Sequence, residues 1–467
     1  MGAKKYDVAI IGGGLAGIFA GYELTVNHPN LKVILLEQGT PIGDRSCPII
    51  DKKVTNCVNC KTCAIMRGFG GAGAFSDGKF NFTTQFGGWL NDYMSDQAVM
   101  NLIEYVDSVN LLFGATEEVF STATPQADMI RRKAISYDLH LMDARCKHLG
   151  TERNREILQR QARWLEDHLD LSCKTKVETI THQSDGTYLL DTSIGEIEST
   201  YLIAAPGRSG AEWFSRQCHD LKLPLLNNQV DLGVRVELPA IVFKDITDAM
   251  YEAKVHYRTR QYKDVVRTFC MNPYGYVVTE NTDGIITVNG HSYTDPALRS
   301  ENTNFALLVS NRFTTPFTEP YQYGKRIASL SNMLGGGIIV QRFGDLIDGR
   351  RTNAHRLPQS FVKPTLEATP GDLSLVLPKR HLDNIIEMIQ VLDKIAPGTA
   401  NQDTLLYGVE VKFYSARLHL SSELETSLPN FFAIGDGAGI TRGLSQAGAS
   451  GVQAARAILK RIGKTGT

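Results

Sequence analysis

The chain has 467 residues, of which 42% are hydrophobic and 21% charged, with a formal net charge of −1. Such a composition is typical of a globular protein long enough for two or three structural units. The near-neutral balance disfavours nucleic acid or an anionic membrane as the main partner. No apolar stretch in the sequence reaches the length that spans a bilayer.

The first predicted elements are a strand, a glycine turn, a helix and a second strand that ends in Glu37. The turn has the pattern Gly-x-Gly-x-x-Gly at Gly12, Gly14 and Gly17. Gly14 lacks the Cβ that would block a diphosphate, the helix N-terminus offers free N–H groups, and Glu37 can accept ribose hydroxyls. The pattern predicts a site for an adenine dinucleotide.

The start of the chain also has features of a signal peptide, because Lys4 and Lys5 precede an apolar run over residues 8–20. Glycines interrupt that run, Glu23 follows closely, and no small-residue cleavage site is evident. We therefore interpret the segment as structural and expect a cytoplasmic protein.

The following segments alternate between irregular, helical and strand-like patterns. Residues 47–89 are rich in glycine and cysteine and too long for a simple connector. Apolar spacing predicts helices within residues 95–170. A hairpin over residues 177–192 and a buried strand over residues 201–205 follow, and residues 220–345 are mostly strand-like. A last strand, a Gly-Asp-Gly turn at residues 435–437 and a helix close the chain.

Three distant segments share one form, a buried strand that ends in glycine and small residues. They are residues 12–17, 205–210 and 435–439. Their order resembles that of the glutathione-reductase-type FAD superfamily, in which the closing strand and its Gly-Asp turn return to the flavin. The glycine run at residues 70–79, with segments at 207–210, 233–237 and 341–345, resembles a broadly defined family of bacterial and archaeal FAD-dependent dehydrogenases.

The resemblance implies an α/β fold with two domains. A Rossmann-like FAD-binding domain is expected from residues 1–215 and 426–467, with residues 47–89 covering the cofactor and residues 95–170 helical. A β-rich, mixed-sheet substrate domain is expected as an insertion over residues 216–425, forming a roof over the flavin.

The resemblance also implies the roles of single residues. Glu37 would hold the adenosine ribose, and Asp436 the ribityl chain or diphosphate. The backbone from Leu444 to Ala447 would face the N1 and O2 edge of the flavin, where a helix N-terminus favours negative charge. The expected cofactor contacts are Gly12, Gly14, Leu15, Ala16, Gly17, Glu37, Gln38, Gly70, Gly71, Ala72, Gly73, Ser76, Val177, Ala205, Gly207, Arg208, Gly435, Asp436, Arg442, Gly443, Leu444 and Ala447.

Four cysteines form the pattern C-x9-C-x2-C-x2-C at Cys47, Cys57, Cys60 and Cys63. Eight cysteines in a chain of this size argue against a disulfide framework. Two-residue gaps let thiolates converge on one zinc ion or one [4Fe–4S] cluster. A redox-active thiol pair and a reduced loop with packing roles are the alternatives.

Three side chains are candidates for catalysis. Lys79, beside the glycine run, is able to stabilise a reduced, anionic flavin. Arg267 is a candidate for binding a substrate carboxylate, and His291 for exchanging a proton during hydride transfer. The alternatives are a solvated lysine, a surface ion pair and a packing histidine.

These features together predict a FAD-dependent oxidoreductase that transfers a hydride between flavin N5 and a small organic substrate. The electron donor is expected to be NAD(P)H bound transiently, the organic substrate or a redox partner protein. The alternatives are a flavin monooxygenase, a flavin-dependent tRNA-modifying enzyme, and a flavin-binding scaffold without turnover.

Overall fold

The computed structural model describes the chain except for residues 1, 49–50, 52, 55–57, 59, 61, 143–144, 227, 251–252, 283, 294, 312, 314–315, 318 and 466–467. The chain forms two compact units. Unit 1 contains Met1–Val119, Cys146–Asn228 and Tyr414–Thr467, and unit 2 contains Phe120–Arg145 and Gln229–Phe413. Unit 2 therefore includes residues 120–145, which were predicted to belong to the FAD-binding domain, and its inserted part spans 229–413 instead of 216–425.

Twenty-one strands form in the part of the chain that the structure describes. In chain order they are β1 (Lys4–Ile11), β2 (Val33–Leu36), β3 (Lys79–Phe82), β4 (Leu139–Leu141), β5 (Arg145–His148), β6 (Asp170–Ser172), β7 (Val177–His182), β8 (Tyr188–Thr192), β9 (Gly195–Ala204), β10 (Leu225–Leu226), β11 (Val230–Pro239), β12 (Val255–Arg258), β13 (Val265–Asn272), β14 (Tyr276–Thr282), β15 (Ile285–His291), β16 (Asn302–Asn311), β17 (Ile339–Arg342), β18 (Thr369–Pro370), β19 (Leu405–Lys412), β20 (Arg417–Leu418) and β21 (Phe431–Ala433).

The α-helices lie between these strands and after the last of them. They are α1 (Leu15–Asn27), α2 (Asp96–Leu112), α3 (Pro125–Ile135), α4 (Thr151–Glu166), α5 (Ala211–Asp220), α6 (Ala240–Ala249), α7 (Pro320–Gly335), α8 (Phe343–Ile347), α9 (Arg356–Gln359), α10 (Lys379–Ile395) and α11 (Leu444–Thr465). Within the described residues, no helix is both long and apolar enough to cross a membrane.

Unit 1 is built on a sheet with the strand order β6-β2-β1-β9-β8-β7, and β21 also pairs with β9. The strands β6, β2, β1, β9 and β21 run parallel, whereas β7 and β8 add an antiparallel hairpin. The register Phe431↔Leu202 places the last strand of the chain beside a strand from its middle. The prediction of a Rossmann-like domain completed from the far end of the chain is confirmed.

Unit 2 is built on a sheet with the order β18-β17-β19-β11-β16-β13-β12-β4, in which only the β17–β18 pair is parallel among the described strands. Along β11, Leu232, Val234 and Val236 alternate with polar residues and enter one apolar core with Ile385 and Leu392 of α10. The opposite face of β11 therefore carries the polar side chains. The predicted β-rich, mixed-sheet unit is confirmed.

Unit 2 also contains histidines whose burial makes its stability depend on pH. His381 of α10 is buried, and neither of its ring nitrogens has a hydrogen-bond partner among the described residues. Burial lowers the pKa of His381 to about 4, and burial together with Arg267 lowers the pKa of His256 to about 4. The pKa of a histidine in an unfolded chain is about 6.5. The unfolded protein therefore takes up these protons more readily, and both histidines favour unfolding as the pH falls from about 6.5 to about 4.

We expect the urea concentration at the unfolding midpoint to be lower at about pH 5 than at about pH 7.5. His381→Leu should reduce that fall, because the variant removes one group that takes up a proton only on unfolding. His355→Leu at an exposed position is the control and should leave the difference between the two pH values unchanged. An identical pH dependence in wild type and His381→Leu would contradict the expectation.

Candidate functional site

The three glycine segments lie together in unit 1, at the carboxyl ends of β1, β9 and β21. A Cβ added to Gly12 would lie 2.1 Å from the carbonyl oxygen of Ala205. A Cβ on Gly435 would lie 3.0 Å from Cβ of Ala16, and one on Gly437 would lie 2.4 Å from Cγ of Pro206. Glycine is therefore required at these positions so that three distant backbones can meet.

The first turn leaves room where a diphosphate would lie. A Cβ on Gly14 would meet only Cα of Gly71, at 4.0 Å, whereas one on Gly17 would lie 2.0 Å from the carbonyl oxygen of Gly12. Gly14 is the N-cap of α1, with no side chain bonded to the first turn. The open space and the uncapped N–H groups fit a bound phosphate.

Glu37 joins three parts of this site through its carboxylate. One oxygen, Oε2, accepts the N–H of Gly13 at 2.8 Å. The other, Oε1, accepts the N–H of Gly39 at 2.8 Å and that of Gly68 at 3.0 Å. The side chain predicted to bind a ribose thus also positions the first turn and the start of the glycine run.

The glycine run packs directly on the first turn. The N–H of Gly70 donates to the carbonyl oxygen of Gly13 at 2.7 Å. After Gly70, a short 3₁₀ helix spans Gly71–Phe75 and contains Ala72 and Gly73. A Cβ on Gly73 would lie 2.9 Å from Cδ2 of Leu444, so the run also reaches the start of α11. As expected, no strand leads into this run among the described residues, and it is not a second Rossmann turn.

Arg45 holds the glycine run in place, and sequence reasoning missed it. Its side chain is almost fully buried. The guanidinium donates hydrogen bonds to backbone carbonyl oxygens over two stretches of the loop, those of Ala64, Ile65, Gly68, Phe69 and Gly71. A lone arginine between Asp44 and Ser46 gives no sequence signal of this role.

The N-terminus of α11 carries a buried hydroxyl that lacks a partner. Oγ of Ser445 is buried and forms no hydrogen bond within the described residues. The N–H groups of Arg442 and Gly443 donate to the carbonyl oxygen of Gly87 at 2.9 and 2.8 Å, and Ala447 donates to Gly443. A polar flavin edge would satisfy the Ser445 hydroxyl and the first-turn N–H groups, so this helix end fits the cofactor.

Asp436 contacts one other candidate residue, Arg208, and the hydroxyl of Thr441. Its Oδ1 accepts the hydroxyl of Thr441 at 2.9 Å, and its Oδ2 lies 3.6 Å from Nε of Arg208. The Arg442 guanidinium stacks 4.3 Å from the ring centroid of Tyr414. Arg208 and Asp436 come from different glycine segments, so their contact ties the second segment to the third.

Lys79 takes part in a buried ion pair. Its Nζ lies 3.1 Å from Oδ2 of Asp77, and Nε2 of His148 lies 3.5 Å from the same oxygen. Although burial opposes ionisation, Lys79 and His148 hold the pKa of Asp77 far below its usual range. The burial of Lys79 does not fit the alternative of a solvated lysine, whereas its predicted contact with a flavin stays a prediction.

The two other catalytic candidates lie in unit 2. Nη2 of Arg267 contacts Oδ2 of the fully buried Asp231 at 2.5 Å. The predicted alternative of a surface ion pair is therefore wrong for Arg267. His291 is the last residue of β15 and packs edge-on against Tyr293, with 4.7 Å between the ring centroids.

The remaining predicted contacts are placed as follows. Leu15 and Val177 are buried, Gln38 is half-buried, and Gly207 has φ +63°. The hydroxyl of Ser76 donates to the carbonyl oxygen of Gly73 at 2.7 Å. Sequence reasoning missed Asn154 on α4, whose Nδ2 donates to the same oxygen at 2.8 Å.

The cysteine pattern is only partly described, because Cys57 lies outside the described residues. Cys47 and Cys63 are half-buried and Cys60 is exposed, and all three are free thiols. Among the described residues, no group of three or more histidine, cysteine or acidic side chains is arranged to hold a metal ion. Binding of zinc or a [4Fe–4S] cluster stays a prediction.

Residues 230–413 match a protein family described as "FAD-dependent protein, C-terminal domain-like". The comparison with curated proteins gave no match.

Among solved structures, the chain is similar to a glycine oxidase from Geobacillus kaustophilus, with 12% identity over 98% of this chain and 95% of that chain, and a TM-score of 0.39. It is also similar to a probable FAD-dependent monooxygenase from Pseudomonas aeruginosa, with 9% identity over 99% and 88% and a TM-score of 0.43. These similarities are too low to support an argument about function. The description of the matched family agrees with the prediction of a FAD-dependent protein.

Proposed function

We propose that this chain is a FAD-dependent oxidoreductase that transfers a hydride between flavin N5 and a small organic substrate. The observation that carries the proposal is the meeting of three distant glycine segments around an uncapped helix N-terminus. FAD, when bound, supplies the electron-pair chemistry. The matched family, described as FAD-dependent, supports the same cofactor.

The residues of unit 1 would bind and orient the cofactor. The N–H groups of the first turn of α1 would donate to the diphosphate, which Gly14 lets approach the backbone. Glu37 would accept a ribose hydroxyl at Oε2, which takes only the Gly13 N–H among the described donors. Asp436 would accept a hydroxyl of the ribityl chain.

The start of α11 would set the polarity around the ring. Its first-turn N–H groups and the Ser445 hydroxyl would donate to the N1 and O2 edge and favour negative charge there. The buried pair of Lys79 and Asp77 would add a cation already matched by its own carboxylate. The Lys79–Asp77 pair would therefore act on the ring as a fixed dipole and not as a single positive charge.

The proposal is tested with protein purified under anaerobic conditions. We expect absorption bands at about 370 and 450 nm from an oxidised flavin, and release of FAD, identified by mass, on denaturation. Organic donors, NADH and NADPH are then tested for bleaching of the long-wavelength band, with oxygen or a dye as acceptor. Folded protein that is colourless and does not take up added FAD would refute the proposal.

The same samples distinguish the alternatives, through the products formed and the absorption spectra. Reduction by NADPH followed by oxygen transfer to the organic compound would identify a monooxygenase. A broad shoulder at about 400 nm that dithionite bleaches would identify an iron–sulfur cluster at the cysteines.

A further inference from the structure

Cys270 has a left-handed backbone conformation within the sheet of unit 2. Its φ is +48°, in the region that favours glycine, and the pairing of β13 with β16 shifts register between Phe269 and Asn272. The residue is half-buried and its thiol is free. Neither the backbone conformation nor burial in an apolar core explains a cysteine at this position. Its side chain is therefore a candidate for chemistry.

The thiol lies beside the side-chain amide of Asn272. Nδ2 of Asn272 donates to the carbonyl oxygen of Cys270 at 2.9 Å and lies 3.8 Å from its sulfur. Nη1 of Arg235 donates to the same carbonyl oxygen at 3.0 Å. Asn272 and Arg235 are both fully buried. Two buried donors thus hold the backbone of Cys270, and the Asn272 amide lies against the thiol.

Two side-chain atoms of this cluster lack partners. Oδ1 of Asn272 accepts no hydrogen bond within the described part of the chain, and Nδ2 of Asn304 donates none there. The two amides contact each other, because Nδ2 of Asn272 donates to Oδ1 of Asn304 at 3.3 Å. Both side chains are fully buried, so each unpaired atom carries a desolvation cost. A hydroxyl group has the donor and the acceptor that these two atoms lack.

The packing at Gly290 holds the cluster from one side. A Cβ added to Gly290 would lie 2.2 Å from Oδ1 of Asn304, 2.4 Å from Nη2 of Arg235 and 2.4 Å from Nδ2 of Asn272. The ends of three buried side chains therefore meet in front of one glycine. Of the four side chains of the cluster, that of Cys270 belongs to the one residue that is not fully buried. We therefore expect a small reagent to reach the cluster at the sulfur.

Unit 2 contains no second cysteine. The other cysteines of the sequence, at positions 47, 57, 60, 63, 146, 173 and 218, fall within the ranges of unit 1. An oxidised Cys270 thus has no thiol of its own unit with which to form a disulfide. Without a thiol to condense with, the first oxidation product of a cysteine is a sulfenic acid.

We propose that Cys270 is a site of reversible oxidation by hydrogen peroxide, which converts the thiol to a sulfenic acid. A sulfur–oxygen bond forms and the oxygen–oxygen bond of peroxide breaks. The second oxygen takes up the thiol proton and leaves as water, so sulfur loses two electrons and peroxide gains them. The new hydroxyl donates to Oδ1 of Asn272 and accepts from Nδ2 of Asn304. The inference goes beyond the proposed function and does not depend on bound FAD.

The test treats the reduced, full-length protein with an equimolar amount of hydrogen peroxide and then traps sulfenic acid with dimedone. We expect peptide mass spectrometry to find the label on Cys270, and to find none when dithiothreitol is added before dimedone. Cys218, which is fully buried, is the internal control and should remain unlabelled. No label on Cys270, or an equal extent of label on Cys270 and Cys218, would overturn the proposal.

Variants separate the role of the amides from exposure of the thiol alone. Asn272→Ala removes the acceptor of the sulfenic hydroxyl. The ratio of sulfenic to sulfinic acid at Cys270 should then fall about tenfold, which corresponds to roughly one hydrogen bond. Asn101→Ala, at an exposed position of α2, is the control and should keep the wild-type ratio. The same ratio in Asn272→Ala as in wild type would overturn the proposal.

Further measurements keep the outcome clear. Asn304→Ala removes the donor and should lower the same ratio, and labelling of the wild type decides the matter if both alanine variants fail to fold. The FAD content is measured in every sample. Protein that holds FAD but shows no label on Cys270 refutes this inference alone. Protein that is labelled on Cys270 but takes up no FAD refutes the proposed function alone.

Discussion

Gly14→Ala is expected to weaken FAD binding by about a hundredfold, about 2.8 kcal/mol, while the apoprotein stays folded. A Cβ at this position meets no protein atom closer than 4.0 Å, and Gly14 has φ −77°, which alanine adopts without strain. The methyl group would instead occupy the space where we place the diphosphate. Fluorescence titration of the apoprotein with FAD measures the loss, and circular dichroism reports the fold.

Two neighbouring glycines provide matched controls for this experiment. Gly17→Ala should destabilise the protein itself, because its Cβ would lie 2.0 Å from the Gly12 carbonyl oxygen. Gly43→Ala should change neither FAD affinity nor protein stability, because the added Cβ would have no neighbouring atom within 4 Å. Equal FAD affinity in Gly14→Ala and Gly43→Ala would show that the diphosphate does not approach the first turn.

Arg45→Met is expected to disorder the glycine run and to remove FAD. Methionine fills part of the volume but removes the guanidinium donor from five backbone carbonyl oxygens, at a cost on the order of 3 kcal/mol. Burial lowers the pKa of Arg45 to about 10, so the guanidinium is charged at neutral pH in the wild type. Hydrogen exchange followed by mass spectrometry should show faster exchange over residues 64–75, together with a lower FAD content.

The conservative variant separates charge from geometry at this position. Arg45→Lys keeps the charge, but an ammonium group cannot reach carbonyl oxygens on both sides of the loop as the guanidinium fork does. It should therefore resemble Arg45→Met more than wild type. Arg153→Met, at an exposed position of α4, is the control. Normal exchange over residues 64–75 in Arg45→Met would show that the loop is held by other contacts.

The predictions from sequence were most accurate where backbone geometry alone determines the structure. The turn at Gly12, the parallel strand before Ala205 and the return of the chain at Gly435 all follow from glycine patterns at the ends of buried strands. Such patterns are local, because they reflect steric limits on one residue and its immediate neighbours. Helices such as α2 and α4 were predicted for the same reason, from apolar spacing within one segment.

The boundaries of the two units were harder to predict from the sequence. Residues 120–145 belong to unit 2 because β4 pairs with β12, as in the register His140↔His256. Their own composition does not distinguish them from the helical segments on either side. Pairing across more than a hundred residues depends on register, which no single segment contains.

The amino-acid sequence by itself determined the glycine turns and the main helices and strands, because each depends on local steric rules. The expectation of FAD came from the resemblance to a family of FAD-dependent proteins. Only the tertiary structure decided which charges meet. Arg45 contacts backbone carbonyl oxygens up to 26 residues away along the chain, Lys79 and His148 both contact the carboxylate of Asp77, and Arg267 pairs with the buried Asp231. The reason is physical, since an ion pair is defined by distance in space and leaves no periodic pattern along the chain.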